Sequence, residues 1–363
     1  MPAAFPFHPW TTDLAVKEDG RRVALVDSTF EWWYFDTIMD DGSTCVVNFL
    51  SKRPFLPGPT APILQFNIGT PSGKYLQSEA SLPASTYSAA TDHCDVAMGK
   101  SWVKGDLHAY TIHAEGVAEG SGTAMQADLT LRRVVPGWRS GPFLTPEEAS
   151  TLWLGEQVVI PSGTVEGTLT YDGVTHKVRG SCYHDHQWGG AGAGHAAATP
   201  QLALKYWYWG RLQAGDHAVD VAQVYGSVDG GPTVPVTTFW TFTRGTEITY
   251  DDTLWALTVT QNGERPAPAR PLPPSPPKTP PPPPIPATLD FAWSPGAQPG
   301  ESPLGTVRFS LSSAQAIANF NDAYYRFVCP VTLTSDFAGE TFSQDGHAIW
   351  EIMELSAMFP TKP

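Results

Sequence analysis

Thr164-Val-Glu-Gly-Thr-Leu-Thr-Tyr171, then Asp172-Gly173, then Val174-Thr-His-Lys-Val-Arg179-Gly180 is the stretch that decides the fold. Two runs rich in β-branched residues flank an Asp-Gly pair, and Asp-Gly supplies the positive φ that a tight primed turn requires. The segment therefore reads as a β-hairpin. Outward from it the same rhythm recurs. Trp33 to Asn48 is a second hairpin about Asp40-Asp41-Gly42, and from Phe30 onward short runs of Val, Ile, Thr, Tyr, Phe and Trp are separated by Gly- and Pro-containing turns. A further set of strands starts near Lys205 and continues through Ala218 to Tyr225, Thr237 to Thr243 and Leu254 to Thr260. Helix signals are few: a capped turn at Thr145 to Ala149 and one short helix at Ser312 to Phe320.

The expected class is all-β and antiparallel, with few short helices. The 363 residues allow two ordinary domains, each able to bury a core. We place an N-terminal arm, low in strand, over the first barrel at residues 1–27, the first barrel at 28–195 and the second at 196–363. Residues 266–286 are dense in proline, which cannot donate ladder hydrogen bonds. They are expected outside the sheet as an inserted surface loop, with a ligand for an SH3-type partner as the functional alternative.

A formal charge of −14 argues against nucleic acid and anionic membranes as partners, since both need clustered Lys and Arg. No stretch approaches the ~18 apolar residues of a membrane span, and the N-terminus shows no secretory leader pattern. A cytoplasmic location is expected; the oligomeric state is not legible. Four scattered cysteines, with no C-x-x-C, read as buried thiols. No nucleotide-binding glycine loop, nucleophile elbow or H-E-x-x-H is present, so no cofactor is expected. Thirteen tryptophans exceed what a core needs and suggest aromatic walls around an apolar small molecule, with core packing as the alternative.

Two segments stand out: Glu31-Trp32-Trp33-Tyr34-Phe35-Asp36, and Tyr183-His184-Asp185-His186-Gln187-Trp188-Gly189-Gly190. Together with Pro161-Ser162-Gly163-Thr164-Val165-Glu166-Gly167 they resemble the carotenoid 1,2-hydratase (hydroxyneurosporene synthase) and AttH-like family of two-domain lipocalin-like proteins. The match is close over residues 28–190. It is looser beyond, where Tyr206 to Gly210 and Trp350 to Glu354 look like family strands and the proline segment departs from the pattern. The resemblance implies two consecutive lipocalin-like antiparallel β-barrels with a ligand cavity at or between them and non-redox, cofactor-free chemistry on polyenes or terpenoids, either hydration of a double bond or, as in similar fungal cyclases, Diels-Alder-type closure in polyketide and terpenoid biosynthesis.

His184, Asp185 and His186 offer a carboxylate between two imidazoles, able to protonate an alkene or polarise a carbonyl. On a strand Asp185 would face away from the histidines, so convergence of all three needs a turn, which Gly189 and Gly190 suggest. The alternatives are a structural seam and, lacking a third ligand, zinc. Glu31 either pairs with a cation or histidine or acts as an acid. Alternation sends Trp32 and Tyr34 to one face and Glu31 and Trp33 to the other. The candidate catalytic residues are Asp185, His186, Trp188, His184 and Glu31; the candidate substrate-binding residues are Trp32, Trp33, Tyr34, Tyr206, Trp207, Tyr208 and Trp209. The functions they suggest are a pericyclic cyclase or isomerase, a hydratase, and a non-catalytic carrier.

Overall fold

The computed structural model describes residues 11–54, 58–139, 152–191, 202–228, 231–251, 256–265, 285–294, 305–311, 315–320, 324–337 and 340–354. Two compact units change over at residues 199–200. The fold is all-β: the helical residues among those described are two single 3-10 turns, Val16–Asp19 and Ala84–Thr86.

In the first unit the strands are β1 (Thr29–Met39), β2 (Thr44–Leu50), β3 (Ile63–Gly69), β4 (Tyr75–Ser81), β5 (Tyr87–Ala89) and β6 (Cys94–Met98). They continue with β7 (Ser101–Gly105), β8 (Ala109–Val117), β9 (Ala124–Arg133), β10 (Trp138–Arg139), β11 (Leu152–Tyr171) and β12 (Val174–Ala191). All pair antiparallel in one sheet of order β4-β3-β2-β1-β12-β11-β9-β8-β7-β6-β5, with β10 on β11. The sheet curls until β3 and β4 approach β8. Its concave face encloses one core that includes Trp33, Phe35, Val47, Phe49, Leu64, Phe66, Ile68, Ile112, Leu131 and Ile160.

The second unit repeats the plan with β13 (Leu202–Ala214), β14 (His217–Val228), β15 (Val234–Arg244), β16 (Glu247–Asp251) and β17 (Leu257–Arg265). Then come β18 (Ile285–Trp293), β19 (Gly305–Leu311), β20 (Gln315–Phe320), β21 (Tyr324–Phe337) and β22 (Glu340–Glu354). Their order is β16-β15-β14-β13-β22-β21-β19-β18-β17, with β20 on β21. Trp240, Trp293 and Trp350 lie in its core beside Tyr325 and Phe327, so these indoles pack as core.

The hairpin that decides the fold forms as read, β11 to β12, with Asp172 at φ 49° and Gly173 at φ 75°. The register of β11 shifts between Val158 and Gly163, where Pro161 has no N–H to give the ladder, and the strand is bulged there. Before the bulge β11 lies between β12 and β10; after it, between β12 and β9.

Two expectations are corrected. Residues 315–320 are not helical: they form β20, paired with β21, and Ile317 to Phe320 are all buried, since sheet pairing and burial override a short run's helical propensity. Tyr183 to Gly190 contains no turn, being continuous strand within β12. Paired along its length by both β1 and β11, the segment has its ladder hydrogen bonds satisfied in the extended form, so its glycines have no reason to bend. The turn at Thr145 to Ala149 lies outside the described residues. So does most of the proline-dense segment, whose last residues Ile285 and Pro286 belong to β18 and pair with Arg265 and Glu264.

Because Gly173 sits in the left-handed region, Gly173→Val should cost about 1–2 kcal/mol; a urea midpoint unchanged from the parent protein would show that this turn is not what sets the hairpin.

Candidate functional site

β1 and β12 pair so that Glu31 faces Trp188, Trp33 faces His186, Tyr34 faces Asp185 and Phe35 faces His184. Side chains alternate across a sheet. Trp33 and Phe35 belong to the interior core, so Glu31, His184 and His186 point inward too, while Trp32, Tyr34, Asp36 and Asp185 point to the convex face. The predicted catalytic set is thereby divided between two faces of one sheet.

On the inner face the residue that organises the others is Asp19, which sequence reading passed over as part of an arm. Asp19 ends the 3-10 turn Val16–Asp19 and is 1% exposed. A carboxylate has about four acceptor positions, and all are taken. Oδ1 receives His186 Nδ1 at 3.3 Å and Gln157 Nε2 at 3.3 Å, and Oδ2 receives His184 Nε2 at 3.2 Å and the Tyr110 hydroxyl. Trp33 Nε1 donates to the Asp19 carbonyl at 2.9 Å, and Gln157 Nε2 donates to the Glu18 carbonyl at 3.0 Å. Glu18 accepts from Arg139 Nε at 2.7 Å. Glu18 and Asp19 are thus tied into the barrel interior.

Each imidazole has acceptors at both nitrogens. His184 Nδ1 lies 2.9 Å from the Tyr34 carbonyl and Nε2 faces Asp19; His186 Nε2 lies 2.8 Å from Glu31 Oε1 and Nδ1 faces Asp19. Carbonyls and carboxylates only accept, so both nitrogens of His184 and Nε2 of His186 donate, while His186 Nδ1 lies between Asp19 and the Gln157 Nε2 donor at 3.4 Å. The two rings lie against the carboxylates of Asp19 and Glu31, and positive charge on His186 is what makes the quartet tolerable without solvent. Burial pushes the Asp19 carboxyl up, but the charge of His184 and the hydrogen bonds from both histidines outweigh it and hold the group far below the usual range. His186 moves the opposite way: burial lowers it, and the hydrogen bonds to Asp19 and Glu31 raise it above an ordinary histidine.

Aromatic rings wall the quartet. His186 stacks on Trp33 at 4.5 Å and His184 on Phe35 at 3.9 Å. Trp188 lies 5.1 Å from His186 with the Arg22 guanidinium 5.3 Å over its own ring. The indole rests on Gly155, where any Cβ would meet it at 2.3 Å. Glu31, His184, His186, Trp33 and Trp188 are therefore brought together as expected of neighbours, but their hydrogen-bonding capacity is largely spent on one another and on the arm.

The convex face differs. Register aligns its side chains in cross-strand rows. One row runs Glu79, Gln65, Asn48, Tyr34, Asp185 across β4, β3, β2, β1 and β12; the next runs Gln77, Asn67, Val46, Asp36, Tyr183. Trp32 lies in the row beyond, between Leu50 and Gln187. Apart from the edge residue Glu79, which is half-buried, these side chains are largely withdrawn from solvent, Gln187 less than the rest. The Tyr34 hydroxyl donates to Asp36 Oδ2 at 3.1 Å. Asn48 Nδ2 donates to Gln65 Oε1 at 3.4 Å, Gln65 Nε2 donates to Glu79 Oε2 at 2.9 Å, and Arg53 holds Glu79. Three amide atoms find no hydrogen-bond partner among the described residues: Asn48 Oδ1, Asn67 Oδ1 and Asn67 Nδ2. Each such buried group costs about 1–3 kcal/mol, so this face carries an unmet demand that the inner quartet, apart from Glu31 Oε2, does not. Neither asparagine was singled out from sequence. A polar residue in register with inward-facing Phe49, Phe66 and Ile68 was the available signal.

In the second unit the expected aromatic run also splits. Tyr208 faces the core, with Tyr206 stacked on Tyr225 at 4.7 Å. The Tyr225 phenol is pushed up to about 12 by burial and then by Tyr206. Trp207 and Trp209 face the other way. Trp209 pairs across from Glu351, which accepts from Arg326 Nε at 2.7 Å.

No protein-family model matches the chain, and no curated protein matches it in sequence. Solved structures do. A protein described as an AttH from Nitrosomonas europaea aligns with a TM-score of 0.60 at 14% identity, over 95% of this chain and 98% of that one. CghA aligns at 0.55 and 15% identity, over 92% and 94% of the two chains, and is also known with Sch210972 bound. Kievitone hydratase from Nectria haematococca aligns at 0.55 and 15%, over 97% and 94%. At such identities the likeness is one of fold. It is the two-barrel, all-β fold that the motifs led us to expect, and an AttH is among its examples.

Replacing Asp19 by Asn should lower stability by about 3 kcal/mol at pH 6, because it leaves the buried His186 cation without one of its two anions and the His184 and Tyr110 donors without their shared acceptor. The stabilisation from Asp19 is present above the ordinary carboxylate value of ~4 and is lost only as pH falls through its depressed value. That from His186 is present below ~6.5 and fades as pH rises through its raised value. Urea titrations of both proteins from pH 5 to 9 should show the difference between them shrinking toward high pH; a constant difference would contradict the charged quartet.

Proposed function

We propose that this protein is a cofactor-independent cyclase or isomerase, of pericyclic Diels-Alder or hetero-Diels-Alder type, acting on a largely apolar polyene, terpenoid or polyketide intermediate of secondary metabolism. The convex face of the first sheet is its site. The observation that carries this is the set of buried, unpartnered amide atoms of Asn48 and Asn67 on a face shared with Trp32 and Tyr34. A pericyclic closure moves no proton and needs no nucleophile. It asks for a folded substrate held near its reactive geometry, and for a hydrogen bond to the carbonyl that activates one partner. Orientation alone can supply several kcal/mol of barrier lowering, up to ~10 in the best-aligned cases. A preorganised N–H such as Asn67 Nδ2, in a site withdrawn from water, stabilises developing negative charge on that carbonyl without reorganisation. The indole of Trp32 and the phenol of Tyr34 supply flat apolar surface for the chain. The ligand complex of CghA supports the reading as a case of this fold holding a small organic molecule.

A second reading is addition of water to a terpenoid double bond. It is favoured by Asp185 and Asp36, two carboxyl groups flanking Tyr34 on the same face, and by the name of kievitone hydratase. A carboxylic acid there would protonate the alkene, and the aromatic surface would steady the cation.

Mass spectrometry of the purified protein incubated with linear polyene and terpenoid-conjugate substrates separates these. A product of unchanged mass and new retention time is the expected outcome, whereas a gain of one water establishes the hydratase. Tight binding with neither product leaves a carrier and overturns the catalytic reading. Asp185→Asn should slow hydration by about 100-fold or more, the usual worth of a general acid, and slow a pericyclic closure by less than about tenfold.

A further inference from the structure

The same face also specifies what kind of substrate it takes, an inference that rests on the placement of the site just described. The relay Asn48 to Gln65 to Glu79 has a direction. Glu79, held by Arg53, only accepts, so Gln65 must turn its Nε2 toward it and its Oε1 toward Asn48. This commits Asn48 Nδ2 to Gln65 and leaves Asn48 Oδ1 as a fixed acceptor with no partner among the described residues. Asn67 is 1% exposed, and neither of its amide atoms is bonded to a described residue. It stands diagonal to Asn48 on the adjacent strand, since Gln65 is the residue opposite Asn48 and Val46 the residue opposite Asn67. Diagonal positions lie roughly 7–8 Å apart, too far for the two amides to satisfy each other and close enough for one group to bridge them.

The unmet atoms are thus two acceptors and one donor. Their complement is a group with a carbonyl oxygen beside an N–H, which pairs with the Asn67 carboxamide, and a further N–H directed at Asn48 Oδ1. Hydrogen bonding narrows the choice: a carboxylate brings no N–H to Asn48 Oδ1 or Asn67 Oδ1 and leaves both acceptors unpaired, as a hydrocarbon does. We propose that Asn48 and Asn67 form a head-group subsite for a neutral carboxamide, so that the substrate is an apolar chain ending in an amide and not a pure hydrocarbon or a fatty acid.

The test compares three probes on the intact protein by isothermal titration: one linear polyene ending in a primary carboxamide, in a carboxylate, or in a methyl group. The carboxamide should bind at least about tenfold more tightly than the other two, since a site built to hydrogen-bond rejects analogues that leave its groups unpaired. In Asn67→Leu that preference should vanish while the melting temperature stays level or rises, because an unpaired buried amide has been removed. Equal binding of all three probes by the parent protein overturns the proposal and leaves the reaction assay untouched. A melting temperature that falls in Asn67→Leu also overturns it, since the amide would then be satisfied within the fold. Discrimination among the probes without turnover of any substrate preserves the subsite and sinks the catalytic reading. Failure of all three to bind overturns both.

Discussion

The register between β1 and β12 is the constraint on which the rest of this structure depends. Trp33 opposite His186 and Tyr34 opposite Asp185 leave no freedom about which side chains meet, because a slip of one residue would exchange the two faces entirely. With this register, Glu31, His184 and His186 enter the barrel together, and Tyr34, Asp36 and Asp185 are sent to the convex side. Two chemically distinct environments are built from six consecutive residues of one strand and a few of its neighbour.

The interior environment is largely satisfied, Glu31 Oε2 and Gln157 Oε1 excepted. Asp19 collects the donors of His184, His186, Gln157 and Tyr110, and Glu31 takes the remaining nitrogen of His186. A buried ion quartet of this kind is a poor source of net stability compared with apolar packing, and a strong source of specificity. The cost of leaving any member unpaired obliges the N-terminal arm to dock in one position. The charges that look most reactive in the sequence are therefore those most fully occupied in the fold.

The convex environment is the reverse, with unpaired amides among aromatic rings and carboxyl groups, all withdrawn from water. Such an arrangement costs stability and persists where something else repays it, and a bound substrate supplying the missing hydrogen bonds is the physical reason we place function there. The same logic explains why orientation and a single N–H suffice for the proposed chemistry: rows fixed by strand register are rigid, and rigidity is what a pericyclic step requires of its host.

From sequence alone, the strand rhythm, the Asp172-Gly173 hairpin and the division of Glu31 to Tyr34 between two faces were legible, because turn chemistry and the period-two alternation of strands are local properties; the two-barrel class came from the family resemblance. The proximity of Glu31, His184, His186 and Trp188 was suggested only by the motifs. Asp19 was invisible, since it lies more than 160 positions from the histidines it joins in a stretch without periodicity, and no local signal marks a carboxylate that will be buried. The short segment 315–320 was misjudged for a related reason: its strand state is imposed by β21, not by its own residues. Asn48 and Asn67 read as ordinary strand polar residues, and only the tertiary structure, by burying the convex face while leaving three of their amide atoms without a partner among the described residues, gave them significance. Local periodicity determined the elements; long-range register and burial decided which polar groups are satisfied, and hence where a ligand is needed.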